Sequence, residues 1–88
     1  MSISGRRFCR IGYVSGMANY LRIIGRNIRD KRVQLGLSQN HLAEFSGINR
    51  TYVGKIERGQ ANLSVNLLVA IAESIDVSPA SLFKAAEL

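Results

Sequence analysis

Residues 47–60 read GINRTYVGKIERGQ. Within them Ile48, Val53 and Ile56 fall at helical spacing and can pin one side of a short helix to a core. The other side then carries Asn49, Arg50, Thr51, Gly54, Lys55 and Arg58, a surface costly to bury and strongly positive. Gly54 costs roughly 1 kcal/mol relative to Ala inside a helix. A face that must come very close to another body would account for it, and so would a merely weak helix.

The surroundings of this stretch repeat one local pattern. Leu37-Ser38 precedes Leu42, Ile48-Asn49 precedes Val53, Leu63-Ser64 precedes Leu68, and Val77-Ser78 precedes Leu82. In each, Ser or Asn can cap the free N–H groups of a new helix. The apolar residue before the cap can meet the one four positions after it, which fixes how the chain enters. Pro79 follows Ser78 at the first helical position, where its missing N–H does no harm. The intervals are irregular, so the chain is not a solenoid.

An earlier helix fits about 20–35, with Leu21, Ile24, Ile28 and Leu35 on one side. Gly36, Gly47 and Gly59 are placed to stop successive helices. No stretch alternates long enough to make a half-buried strand. The pattern predicts an all-α fold of five helices, at about 20–35, 39–46, 50–58, 65–75 and 79–86. Residues 1–19 mix Gly, Ser and three Arg at no steady period, which predicts a flexible basic arm ahead of a domain at 20–88.

Size and composition bound the function. Eighty-eight residues make one small domain. The longest apolar run, Leu67 to Ala72, is far too short to cross a bilayer, and no secretory h-region follows Arg6, Arg7 and Arg10. Cys9 stands alone, without the Cys and His neighbours of a zinc site. The expectation is a cytoplasmic protein that needs no metal or cofactor. Twelve Lys and Arg against six Asp and Glu give a net charge of +6, which suggests an anionic partner. Removing residues 1–16 would lower it to +3, since Arg6, Arg7 and Arg10 leave and no acid does. The position of the remaining charge therefore matters more than its total.

A three-residue corner around Gly47 makes the second and third helices cross steeply, as in a helix-turn-helix. The N-terminal half of the third helix is then the part that enters a major groove. Asn49 suits adenine N6 and N7, Arg50 suits guanine O6 and N7, Thr51 can touch a thymine methyl group, and Lys55 reaches one turn further. Ser38, Gln39, Tyr52, Arg58 and Gln60 are candidates for phosphate. His41, the sole histidine, falls on the exposed side of the second helix. Neither paired carboxylates nor a Cys–His pair is evident, so an enzyme is not expected.

Residues 22–84 resemble the helix-turn-helix domain shared by the lambdoid phage repressors and the Cro and xenobiotic-response-element regulators. The resemblance rests on KRVQLGLSQ (31–39), Ala43, Gly47, Val53, Ile56, IERG (56–59) and DVSP (76–79). The wording NRTYVGKIERG and the small size look most like the controller proteins of restriction–modification systems. The resemblance implies a lambda-repressor-like fold, a bacterial or phage source and a nucleoid-associated regulator of transcription, whether repressor or activator. It gives Gln39 and Arg58 to phosphate and Arg50, Thr51 and Lys55 to the groove. It also implies an ion pair between Arg32 and Glu57, which answers an oddity: Arg32 lies four residues after Ile28 on the apolar face of the first helix.

Domains of this kind work as two-fold dimers on matched half-sites roughly 34 Å apart. The surplus apolar residues Ile75, Val77, Leu82, Phe83 and Leu88 are the candidate dimer interface, though Leu82 and Phe83 can equally close the monomer core. The expected partners are double-stranded DNA and a second copy, with no membrane and no small-molecule ligand. The alternative is an antitoxin or phage-type repressor whose main partner is another protein as well as DNA.

Overall fold

A computed structural model describes the backbone of residues 3–84, with side chains from residue 19 onward. Its elements are α1 (Ile3–Gln34), α2 (Gln39–Ser46), α3 (Arg50–Glu57), α4 (Val65–Ser74) and a closing 3-10 turn (Pro79–Phe83). No strand occurs among the described residues.

The four expected caps all form. Ser38 Oγ accepts the His41 amide at 3.1 Å, Asn49 Oδ1 that of Thr51 at 2.7 Å, Ser64 Oγ that of Leu67 at 3.1 Å, and Ser78 Oγ that of Ser81 at 3.3 Å. Leu42, Val53, Leu68 and Leu82 are buried, and Leu37, Ile48, Leu63 and Val77, one before each cap, pack against the same core. Each of these four starts therefore has one of its free donors satisfied and its entry angle fixed by apolar contact.

Gly47 makes the corner between α2 and α3. Its φ of 75° is left-handed, and its amide and that of Ile48 both bond the Ala43 carbonyl, at 2.9 and 3.0 Å. A side chain would strain this turn, and the corner is what lets α3 leave α2 steeply.

The core runs through all elements: Ile24 and Ile28 from α1, Leu42 and Ala43 from α2, Val53 and Ile56 from α3, and Leu68, Ile71, Ala72 and Ile75 from α4, with Ala61 and Leu82. α4 is the central apolar helix and packs on α2 and the closing turn, while α1 packs on α3 and the same turn. Where α1 crosses α3, Gly25 lies against the Ile56 and Glu57 carbonyls, with no space for a Cβ.

Three expectations are corrected. The first helix begins at Ile3, not near residue 20, and runs across the boundary expected for the arm. The sole proline is Pro79, so no ring interrupts residues 3–34, and a helix needs no apolar periodicity to continue along its own backbone. At the other end, α1 stops at Gln34, and Leu35 is half exposed beyond it.

In place of the fifth helix expected at 79–86 there is one short 3-10 turn over Pro79–Phe83, so the described residues form four α-helices. Asn27 Nδ2 donates to the Leu82 and Lys84 carbonyls, both at 2.7 Å. Those carbonyls are satisfied by α1 instead of by a continuing helix, and Lys84 is extended.

Candidate nucleic-acid interface

The amphipathic division of α3 sets the surface. Val53 and Ile56 are buried, and Asn49, Arg50, Thr51, Lys55 and Arg58 are exposed. Asn49, Thr51, Tyr52 and Lys55 line one shallow recess. Three of the four residues expected to read bases thus share that recess, and the fourth, Arg50, is exposed but does not line it. Tyr52 is half buried and its hydroxyl donates to the Asn62 carbonyl, which ties the loop after α3 to the helix. Its phenol oxygen keeps lone pairs but has committed its proton.

Several of these side chains also hold local structure. Asn49 is the α3 cap, and its Nδ2 remains free to donate to an outside acceptor. Ser38 caps α2 in a reciprocal pair: His41 Nδ1 accepts the Ser38 amide at 3.1 Å. Histidine here does what Glu or Gln usually does at that position. His41 is exposed, as expected, and stacks on Phe45 with ring centroids 6.3 Å apart.

Beneath the surface, Arg32 and Glu57 are brought together as a buried pair. Arg32 Nε donates to Glu57 Oε2 at 2.7 Å and Nη2 to Oε1 at 2.9 Å. Arg32 Nη1 donates to the Leu37 carbonyl at 2.8 Å, and Gln39 Nε2 donates to Glu57 Oε1 at 3.1 Å. The hydrogen bond that Arg32 donates to Glu57 holds its guanidinium above the ordinary pKa, against the lowering effect of burial and with help from the carboxylate charge. The only acid of α3 is thereby neutralised from inside. Its exposed face carries Arg50, Lys55 and Arg58 with no opposing carboxylate on the helix.

Gly54 is not on the open face where it was expected; it is buried. A Cβ there would meet Arg58 Nη1 at 3.2 Å and Gln39 Oε1 at 3.8 Å. These two side chains, both phosphate candidates, lie across it. Arg58 Nε in turn donates to Gln60 Oε1 at 3.0 Å. Gln39 from the start of α2 and Arg58 with Gln60 from the end of α3 therefore meet over Gly54.

The expected dimer set divides. Ile75 and Leu82 are 0% and 2% exposed within the monomer, so they are core residues and not interface. Val77 is half buried against the same core. Phe83 is 43% exposed, and its ring is tilted on Tyr20 at 6.1 Å. Leu88 lies outside the described residues. Burial of Ile75 and Leu82 follows from the short closing turn, which folds back over α4 and α1.

Sequence reading missed Asn27 and Gly25. The signal for Gly25 was a small residue among Ile24 and Ile28 on the packing side of α1; nothing local marked Asn27. Among the described residues no group of three or more His, Cys, Asp or Glu is arranged to hold a metal. None of the described helices is long and apolar enough to cross a membrane.

The comparisons with known proteins agree with this geometry. The helix-turn-helix family model matches residues 28–82, and the chain belongs to that family. It is 39% identical over 56 residues to control protein C.SmaI of Serratia marcescens, covering 64% of this chain and 67% of that one. It is similar in structure to the restriction–modification controller protein C.AhdI of Aeromonas hydrophila, with TM-score 0.69, 43% identity and coverage of 72% and 96%. A third similarity is to the controller protein C.Esp1396I, solved as a tetramer in complex with its natural 35 base-pair operator. There the TM-score is 0.66 at 33% identity, covering 73% of this chain and 84% of that one.

Proposed function

We propose that this protein is a sequence-specific, double-stranded DNA-binding regulator of transcription, acting as a homodimer on a two-fold operator, and of the restriction–modification controller type. The observation that carries this reading is the exposed cationic flank of α3: Arg50, Lys55 and Arg58 are open, while the helix's one acid, Glu57, is paired inward with Arg32. The controller proteins it resembles support the same reading, one of them solved on its operator.

In this mechanism no bond is made or broken. The N-terminal half of α3 lies in the major groove, where Asn49, Arg50, Thr51 and Lys55 read base edges. Gln39, Arg58 and Gln60, with Ser38 and Tyr52 at the margin, hold the phosphate backbone and set register. A second copy places a second α3 on the matching half-site, roughly one helical turn away. Occupancy then blocks polymerase or, from an upstream site, recruits it, and protein concentration alone regulates occupancy.

The test is binding to a library of duplexes carrying two-fold half-sites, read as affinity against salt. A specific winner whose affinity falls steeply with salt supports the reading. Arg50→Ala should relax base preference at one position of each half-site by about 1–3 kcal/mol. Equal, weak binding to every duplex by the native protein would refute it, and a stable complex with a protein instead of DNA would favour the antitoxin alternative.

A further inference from the structure

A glycine in the middle of an eight-residue helix weakens that helix, and a Cβ on this one would meet no backbone atom of a neighbouring helix within 4 Å. The Cβ position of Gly54 is not crowded by core atoms. Within 4 Å it meets only Arg58 Nη1 and Gln39 Oε1, the far ends of two flexible side chains. Arg58 stands one turn after Gly54 on the same side of α3, so its guanidinium reaches back along the helix over the missing side chain. Gln39 approaches from the start of α2.

Both side chains are anchored, Arg58 behind its tip at Nε and Gln39 through its terminal amide, whose Oε1 is the atom nearest Gly54. Gln39 Nε2 donates to Glu57 Oε1 at 3.1 Å, and Glu57 is fixed in turn by Arg32. Arg58 Nε is taken by Gln60 Oε1 at 3.0 Å, and its terminal Nη donors have no hydrogen-bond partner among the described residues. A cation from the end of α3 and an amide from the start of α2 thus converge above one residue that has nothing in the way.

We propose that Gly54 is a positioning residue for DNA binding: its missing side chain lets Arg58 fold back beside Gln39, so that the two grip one backbone phosphate together. The proposal rests on the assignment of α3 to DNA. A phosphate above Gly54 takes the Arg58 Nη hydrogens and the second Nε2 hydrogen of Gln39, both charge-assisted bonds. A Cβ pushes the Nη1 group away by a few tenths of an ångström, and a branched side chain denies it the place.

The experiment compares native protein, Gly54→Ala, Gly54→Val, Arg58→Ala, Gly54→Val/Arg58→Ala and Arg50→Ala on the best duplex and on unrelated duplex, across salt. Melting temperature is followed alongside. Gly54→Ala is expected to hold or raise the melting temperature yet weaken binding, and Gly54→Val to weaken it about tenfold, the scale of one charge-assisted hydrogen bond. The loss should be equal on both duplexes, with a salt slope smaller by about one. In the Arg58→Ala background Gly54→Val should change affinity by less than about twofold. Native affinity in both Gly54 variants, or an undiminished Gly54→Val loss without Arg58, overturns the positioning role. If Arg50→Ala still relaxes base preference in that case, the assignment of α3 to DNA survives; if the native protein binds no duplex, that assignment falls first.

Discussion

Arg32 and Glu57 form a two-point ion pair between α1 and α3, Nε to Oε2 at 2.7 Å and Nη2 to Oε1 at 2.9 Å, with both residues buried. A buried pair adds little over a well-packed apolar pair, but an orphaned member is a buried charge with no partner. The pair also sits at the root of the surface, because Glu57 holds the amide of Gln39. One contact thus joins the helix crossing to the edge of the DNA face.

Arg32→Ala or Glu57→Ala should each destabilise the domain by about 3–5 kcal/mol in urea unfolding. The double change Arg32→Met/Glu57→Leu should be less harmful than either single alanine. The pKa of Arg32 is raised on folding, so its contribution is complete below the ordinary arginine range and is lost only as pH rises through the raised value. Between about pH 5 and 9 Arg32 itself should therefore add no slope to stability. A single alanine variant as stable as the native protein would place the pair outside the core.

Asn49 caps α3 and is proposed to read the groove, and two substitutions separate the roles. Asn49→Ala should lower stability by about 1 kcal/mol through loss of the bond to the Thr51 amide. Asn49→Asp keeps an acceptor at the positive helix end and should preserve stability while weakening duplex binding by repulsion of phosphates. Circular dichroism melts and binding isotherms measured together decide it. Equal destabilisation by Ala and Asp would show that the cap is not formed.

Gly25→Ala tests the crossing of α1 and α3. The new Cβ would land on the Ile56 carbonyl oxygen and 2.9 Å from that of Glu57, which are backbone atoms that cannot step aside. Despite a helix gain of about 1 kcal/mol, the net effect should be a loss of roughly 1–3 kcal/mol or more. A raised melting temperature would mean the helices are further apart than the structure has them.

Leu82 and Phe83 are sequence neighbours with different fates. Leu82→Ala should cost about 2–5 kcal/mol of stability, because the side chain is 2% exposed. Phe83→Arg should leave unfolding close to native and weaken self-association, seen as a shift toward monomer in sedimentation. Unchanged association would exclude the Tyr20–Phe83 surface from the dimer contact.

Much of the fold was readable because its determinants are local. The bounds expected for α2 and α3 fall within one residue of those observed, since cap, apolar partner and stop all lie within one helical turn of each end. The N-terminal reach of α1 was not readable in this way. Periodicity reports burial, and a helix can extend past its buried face. The last element was misjudged for the opposite reason: its end is set by Asn27, 55 residues away from Leu82 in the chain.

The candidate surface shows the same division. Glu57 was separable from its basic neighbours by its pairing with Arg32, and the open set Asn49, Arg50, Thr51 and Lys55 followed from the helical angle away from Val53 and Ile56. Gly54 and Arg58 did not follow from that angle. A helical wheel gives the direction in which a side chain leaves the backbone, not where a long one comes to rest.

From its order of residues alone, this chain set the starts and stops of α2, α3 and α4, the corner at Gly47 and the cationic flank of α3. Those features depend on hydrogen bonds and angles spanning five residues or fewer. Folding in three dimensions settled which apolar residues are consumed by the core, how closely α1 can approach α3 at Gly25, and where Arg58 lies. Those outcomes depend on which surfaces meet, and that is a property of the packed helices together.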